Sequence, residues 1–491
     1  MKGYKFVEDK YSEIGQLSSI ASMLHWDANV IMPKGSSEVR GHQLAYLMTK
    51  IHHITTSDEL SQHIGIASQN VGDLDNWQKA NLKLIERDVK IAKVLPEHLV
   101  ADLTLAANKC EMVWREARKQ NDFAKVLSHL AVLLEHTKEA AVLKGEALQV
   151  SPYDALLSEY DFGQTTVRLD SLFKGLKSYL IDFVKEVVSS QKVMPFKKRH
   201  FALDKQVELN KKYLSKLHFD FEVGRLDVST HPFCGGIPED SRVTTRFDES
   251  DITMGIYGTI HEAGHSFYER NLPLDFNLQP VGSACGFAIH ESQSLFFEKQ
   301  LGLNKHFIAN LHKDIVKMSN CEDYSLQEFS HMILKVEPSL IRVNADEVTY
   351  PLHVILRYEI EKDLLSGALD VKNLPERWNH DMQEMLGIVP AKDSDGCLQD
   401  IHWYGGSFGY FPSYTVGALT AAQIMAKIRT QIPNLDDLIK TEDYGDLFKW
   451  LNQNIHAHGS KFTPSELIKN ATGQELNIAH FKKHLQDRYL A

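Results

Sequence analysis

The stretch "GTIHEAGHSFYER", Gly258 to Arg270, sets His261 and His265 four residues apart with Glu262 beside the first. Residues at that separation share one helix face, one turn apart, so both imidazoles point at a single ion. Glu262 then reaches a water held on that ion. Two metal ligands and a base are the mechanical content of the HExxH pattern. Met254, Ile256, Tyr257, Ile260, Gly264 and Phe267 supply the apolar side that docks such a helix. Gly264 costs about 1 kcal/mol relative to Ala in a helix interior, which a close neighbour or the metal site itself would explain. A chain with 24 histidines also spells this pattern by chance, so a metal site needs a third protein ligand, with a fourth position left open.

"GFAIHESQSLFFEKQ" (286–300) offers that ligand on a second helix. Glu291 lies 26 residues beyond His265, enough for a loop and a returning helix. The alternative for Glu291 is a surface carboxylate, but a Glu on an apolar stretch is expensive to bury unless paired or metal-bound. His290 points about 100° away from Glu291 on a helix, so the two do not both ligate. Glu298, two turns on, falls on the face of Glu291 and is a candidate to support the ligands.

Working outward, the 491-residue chain is 43% hydrophobic and 24% charged, with a net charge of -11. Such acidity gives no nucleic-acid footprint. The five cysteines, Cys110, Cys234, Cys285, Cys321 and Cys397, are scattered and form no CxxC pair, which argues against a disulfide framework and a thiolate metal site. No apolar run reaches membrane-spanning length, and "MKGYKFVEDKYSEIGQ" lacks a signal-peptide core, so no membrane contact and a cytoplasmic location are expected.

Helical periodicity dominates. In "NDFAKVLSHLAVLLEHTKEAA", Phe123, Leu127, Leu130 and Leu134 mark one face, with Asn121 or Asp122 as the capping candidate. Similar patterns cover 10–24, 37–54, 77–93, 96–118 and 167–190, with Pro96, Pro152 and Pro195 between them or at their starts. "SRVTTRF" (241–247) is the one strand candidate. Irregular backbone is expected in the Gly-rich "HPFCGGIPED" (231–240) and "HWYGGSFGYFPSY" (402–414). One mainly helical domain over 1–491 is expected, with an amino-terminal subdomain over 1–200 and the metal-bearing part over 201–491.

Several short motifs stand in order along the chain: His231-Pro232-Phe233; Asp240-x-Arg242-x-Thr244; His261-Glu262-Ala263-Gly264-His265; His290-Glu291-Ser292-Gln293; Ile341-Arg342-x-x-Ala345-Asp346; and Gly396-x-x-Gln399-Asp400-x-His402-Trp403. "LHWDANVIMP" (24–33) precedes them. In this the sequence resembles the carboxypeptidase Taq family of metallocarboxypeptidases, from about residue 24 to about 420. Cys234 after the first motif, and Leu295-Phe296-Phe297 after the fourth, depart from the family pattern without removing a catalytic atom.

The resemblance implies a neurolysin-like, almost all-helical zincin fold with a deep cleft and very little β structure, the amino-terminal residues walling or capping that cleft. It implies release of single amino acids from peptides with a free C-terminal carboxylate, one divalent ion per subunit (Zn2+, with Co2+ able to substitute), and a homodimer. An endo-acting or dipeptide-releasing peptidase on the same scaffold is the alternative activity. Glu262 would serve as general base and then acid. His402 and Tyr414 resemble the His and Tyr that serve the scissile carbonyl in helical peptidases, with Tyr410 as a second tyrosine. Packing in the Gly-rich loop is the plainer role for each. Arg342 suits a carboxylate clamp, being planar and permanently charged; the alternative is an ion pair with Asp346 or Glu347. Arg242 and His231 are candidate substrate contacts or structural residues.

Overall fold

A computed structural model describes residues 3–192, 194, 197–319 and 321–490; Pro195 lies outside them. Among these residues the chain forms twenty α-helices and one three-stranded sheet. Each expected helical segment is present and longer than its apolar pattern: Tyr4–Val30, Ser37–Thr55, Asn76–Val94, Glu97–Gln120 and Thr166–Ser190. The Phe123–Leu148 helix buries Phe123, Val126, Leu130, Leu133, Leu134, Thr137 and Ala141, one continuous stripe at 3–4 residue spacing. Asp122 stands at its start but makes no side-chain capping bond, and Asn121 instead ends the preceding helix in the left-handed region, φ 53°. Pro152 opens the Pro152–Tyr160 helix behind the capping hydroxyl of Ser151.

The strand candidate is β3 (Asp240–Thr245), the middle strand of the sheet. β1 (Gly224–Val228) runs parallel to it and β2 (Cys234–Ile237) antiparallel, pairing Arg225 with Arg242 and Cys234 with Val243. β2 therefore occupies a stretch expected to be irregular. It lacks β-branched residues before Ile237, and its glycines permit a tight return: a Cβ on Gly236 (φ 91°) would fall 2.0 Å from the Asp240 carbonyl oxygen.

The chain does not divide once near residue 200. It forms two compact units, each drawn from separate segments. The first comprises Met1–Ala92, Val193–Leu334 and Thr420–Leu476. One of its apolar clusters joins Tyr4, Val7 and Tyr11 to Leu60, Ile64, Leu82 and Ile85, tying the first helix to the third and fourth. The second comprises Lys93–Lys192, Lys335–Leu419 and Asn477–Ala491. Its core includes Trp114 stacked on Tyr404 (5.7 Å) and Phe173 edge-on to Tyr358 (5.2 Å).

Candidate active site

In the first unit, the Ile252–Arg270 helix begins at Asp251, whose carboxylate caps the Thr253 N–H. Gly264 is explained by a close neighbour: a Cβ there would lie 2.6 Å from the Gln293 carbonyl oxygen and from Ser294 Cα. The missing side chain lets the Gly286–Leu295 helix approach closely, and that helix carries Glu291. His265 Nε2 and His261 Nε2 lie 3.5 and 3.8 Å from Glu291 Oε2. Ligands about 2.1 Å from one ion in tetrahedral array are ~3.4 Å apart, so the three donors fit a divalent metal. All three donor atoms fall within 4.8 Å of one another. His290 takes no part in this set. It stacks on the His265 ring (4.3 Å) and donates from Nε2 to Glu269 (2.9 Å).

Glu298 bonds His261 Nδ1 at 2.8 Å, which fixes the ring and leaves Nε2 free to ligate. It stands on a π-turn, Phe296–Leu301, of the kind that recurs at functional sites. Lys299 Nζ, 2.6 Å from its other oxygen, helps hold Glu298 well below the usual carboxylate range against the cost of burial. Burial opposes charge on His261, yet Glu291 and Glu298 outweigh it and lift that imidazole to about 10. Burial, with the charges of His290 and His261, drives His265 well down. This half-buried, carboxylate-rich cluster favours a cation among its ligands. Burial also pushes the Glu262 carboxyl up to about 7; Glu291 adds to the rise, while His261 and the backbone N–H of Cys234 oppose it.

In the second unit, Arg342 is buried but pairs with neither Asp346 nor Glu347. Its Nε and Nη2 donate to Asp400 (3.2 and 2.9 Å) and its Nη1 to the Tyr350 hydroxyl (2.7 Å). The same carboxylate accepts from the fully buried Arg357 (2.7 Å), and the two guanidinium groups hold it well below its ordinary range although burial works the other way. Gln399 accepts from the Arg342 backbone N–H (2.8 Å) and from Arg357 Nη2 (2.9 Å). Two of the sequence motifs are thus one hydrogen-bonded body. Asp346 is spent on the backbone N–H groups of Glu337, Val348 and Thr349. Glu347 takes His484, Arg488 and Tyr489 from the last helix.

His402 is half-buried, and desolvation with the Arg342 charge lowers it to about 4, so it is neutral at pH 7. Its ring lies 5.4 Å from that of Tyr410 and 6.4 Å from that of Tyr414. Tyr414 opens the Pro412–Gln431 helix, and its ring stands 5.0 Å from the Arg342 guanidinium. The expected irregular backbone is present here, with Gly406 and Gly409 at φ 84° and 87°. In the first unit, Arg242 pairs with Asp240 (2.6 Å) and stacks over Trp26 (4.3 Å), while His231 is exposed before β2.

The family profile for the carboxypeptidase Taq (M32) metallopeptidases matches residues 6–489. The chain belongs to that family. Carboxypeptidase 1 of Bacillus subtilis is 39% identical over 98% of this chain and 97% of its own. Thermostable carboxypeptidase 1 of Thermus thermophilus is 34% identical over 98% and 96%. Among solved structures, metallocarboxypeptidase 1 of Trypanosoma cruzi superposes with a TM-score of 0.98 at 38% identity, covering 100% of both chains. A Pyrococcus furiosus carboxypeptidase gives 0.96 at 31%, covering 100% of this chain and 99% of its own.

Membership of the carboxypeptidase Taq family makes this chain a metallocarboxypeptidase, trimming peptides from the carboxyl end with a divalent ion. The endo-acting alternative is not favoured. Among the described residues no helix is long and apolar enough to cross a membrane. The sequence did not reveal the part Asp400 plays, although it lies within a motif. It also missed the buried polar series His353, Arg357 and Glu361, which recurs every four residues among the mainly apolar buried side chains of one helix. That spacing was the available signal.

Proposed function

We propose that His261, His265 and Glu291 hold one divalent ion, Zn2+ with Co2+ able to substitute, and that Glu262 is the general base and then the general acid. The observation that carries this reading is the convergence of two imidazole nitrogens and one carboxylate oxygen beside a buried fourth group, Glu262. When bound, the ion supplies the Lewis acidity that polarises the scissile carbonyl and acidifies the attacking water. Glu262 accepts the water proton, for which a carboxyl poised near neutrality is suited, and delivers it to the departing amine. Glu298 keeps His261 in one tautomer and orientation.

His402 and Tyr414 are assigned to the oxyanion of the tetrahedral intermediate, His402 as the neutral imidazole its burial enforces. Arg342 is assigned to the terminal carboxylate of the peptide. Asp400 is shared by two guanidinium groups, so the arginine pair keeps a net positive charge for an incoming anion. Tyr410, Arg242 and His231 complete the proposed substrate contacts. Single residues are released with broad specificity by a cytoplasmic homodimer, a state that light scattering checks directly.

The test is metal stoichiometry and turnover measured on the same preparations. Glu262→Gln is expected to keep one ion per subunit and lose about 10²–10⁴-fold in turnover, whereas Glu291→Ala loses both. Normal hydrolysis by Glu262→Gln sinks the assignment.

A further inference from the structure

The helix Tyr350–Ser366 buries His353, Arg357 and Glu361 at successive four-residue steps, a polar line through the core of the second unit. Arg357 is accounted for by Asp400 and Gln399. Glu361 is not needed by the chemistry above, yet it is fully buried, and burial pushes its carboxyl up to about 7. Such a group is costly to keep without partners. Its partners explain it. Glu361 Oε1 accepts from the Trp403 indole N–H (2.7 Å), and Oε2 accepts from the Gly409 backbone N–H (2.9 Å) and the Tyr153 hydroxyl (2.6 Å).

Trp403 follows His402 directly, and Gly409 precedes Tyr410. One carboxylate therefore grips the Gly-rich segment at two points, one beside His402, assigned to the oxyanion, and one beside Tyr410, a proposed substrate contact. Gly409 has no room to shift, since a Cβ there would lie 3.0 Å from the Leu156 and Leu157 backbone. Asp161, also buried, holds Ser413 at 2.5 Å beside Tyr414.

We infer that Glu361 is a positioning residue for turnover: its two oxygens set the 402–410 segment so that His402 and the adjoining tyrosines meet the transition state in fixed geometry. This rests on the assignment of His402 and Tyr414 to the oxyanion. Misplacing such groups by about 1 Å costs ~10²-fold, so the effect belongs in kcat rather than KM.

The experiment compares Glu361→Gln, Trp403→Phe, their double variant, Tyr153→Phe and His402→Ala in the zinc-loaded full chain, reading kcat, KM, metal content and thermal midpoint. Glu361→Gln keeps one acceptor oxygen for two loop donors; a fall in kcat of about tenfold is expected at unchanged KM and metal content. The double variant is expected to be no worse than the poorer single variant, because both break one interaction. Tyr153→Phe removes a bond to the same carboxylate from outside the segment; it is expected to lower the thermal midpoint and spare kcat. Unchanged kcat in Glu361→Gln, or losses of kcat that track the thermal midpoint equally through Tyr153→Phe and Glu361→Gln, would overturn the inference. His402→Ala separates the two claims: if it turns over normally, the oxyanion assignment fails, whereas the effect of Glu361 on kcat is still read from its own variants.

Discussion

At the residue scale, the site is built from groups whose burial is tolerable only in company. Glu298 is the clearest case. It bonds His261 Nδ1 at 2.8 Å and stands on a π-turn. Removing such a support typically lowers metal affinity by about 10–100-fold, so Glu298→Ala is expected to raise the dissociation constant for zinc by that factor in a chelator competition. An unchanged constant would mean that the ring is held by packing alone. His261, Glu262 and His265 were legible in the sequence because helix periodicity converts a four-residue spacing into a shared face. Glu291 was legible because a carboxylate on an apolar helix asks for a partner. The partner of Arg342 was not legible. Asp400 lies 58 residues downstream, and only the path of the chain decides between it and the acidic neighbours Asp346 and Glu347, which are committed elsewhere.

At the scale of elements, the decisive contact is a helix pair brought together by an absent side chain. Gly264 has the Gln293 carbonyl oxygen and Ser294 Cα within 2.6 Å of where a Cβ would stand, so Gly264→Ala must push the Glu291 helix away. The intrinsic helix preference of Ala works in the opposite direction by about 1 kcal/mol, and forced overpacking typically costs 1–3 kcal/mol. The variant is therefore expected to fold, to melt no higher than the parent, and to bind zinc more weakly, which calorimetric titration measures. A tighter or equal zinc affinity would show that the close approach does not set the ligand geometry. The long helices were readable because their stripes repeat over many turns. β1 and β2 were not: β2 consists of Cys-Gly-Gly-Ile, a strand made by its pairing to β3 and by glycine's freedom rather than by β-forming side chains.

At the scale of the whole molecule, the two discontinuous units were hidden from the sequence because no linker or change of composition marks where the chain passes between them. Three histidines kept neutral by burial give the fold a definite acid response. His353 and His456 are lowered to about 3 and His402 to about 4, burial leading in each. Each folded-state value lies below the unfolded value of about 6.5, so the unfolded chain binds the extra protons. Their stabilisation is full above pH 6.5 and is lost as pH falls towards 3–4, at up to about 1.4 kcal/mol per pH unit for each group. The raised carboxyls of Glu262 and Glu361 act in the opposite sense over the same range, so the expected signature is differential: between pH 7 and pH 5 the urea midpoint of His456→Gln is expected to fall less than that of the parent, by one group's share. A parallel decline in that variant would contradict the assignment.

The central claim is an enzyme that needs a free carboxyl end. It is tested most directly by mass spectrometry of one peptide offered to the metal-loaded protein in two forms, free acid and C-terminal amide. The account predicts a ladder losing one residue at a time from the free acid, with the amide left intact. Cleavage of both forms at the same rate, or internal fragments from either, would contradict it.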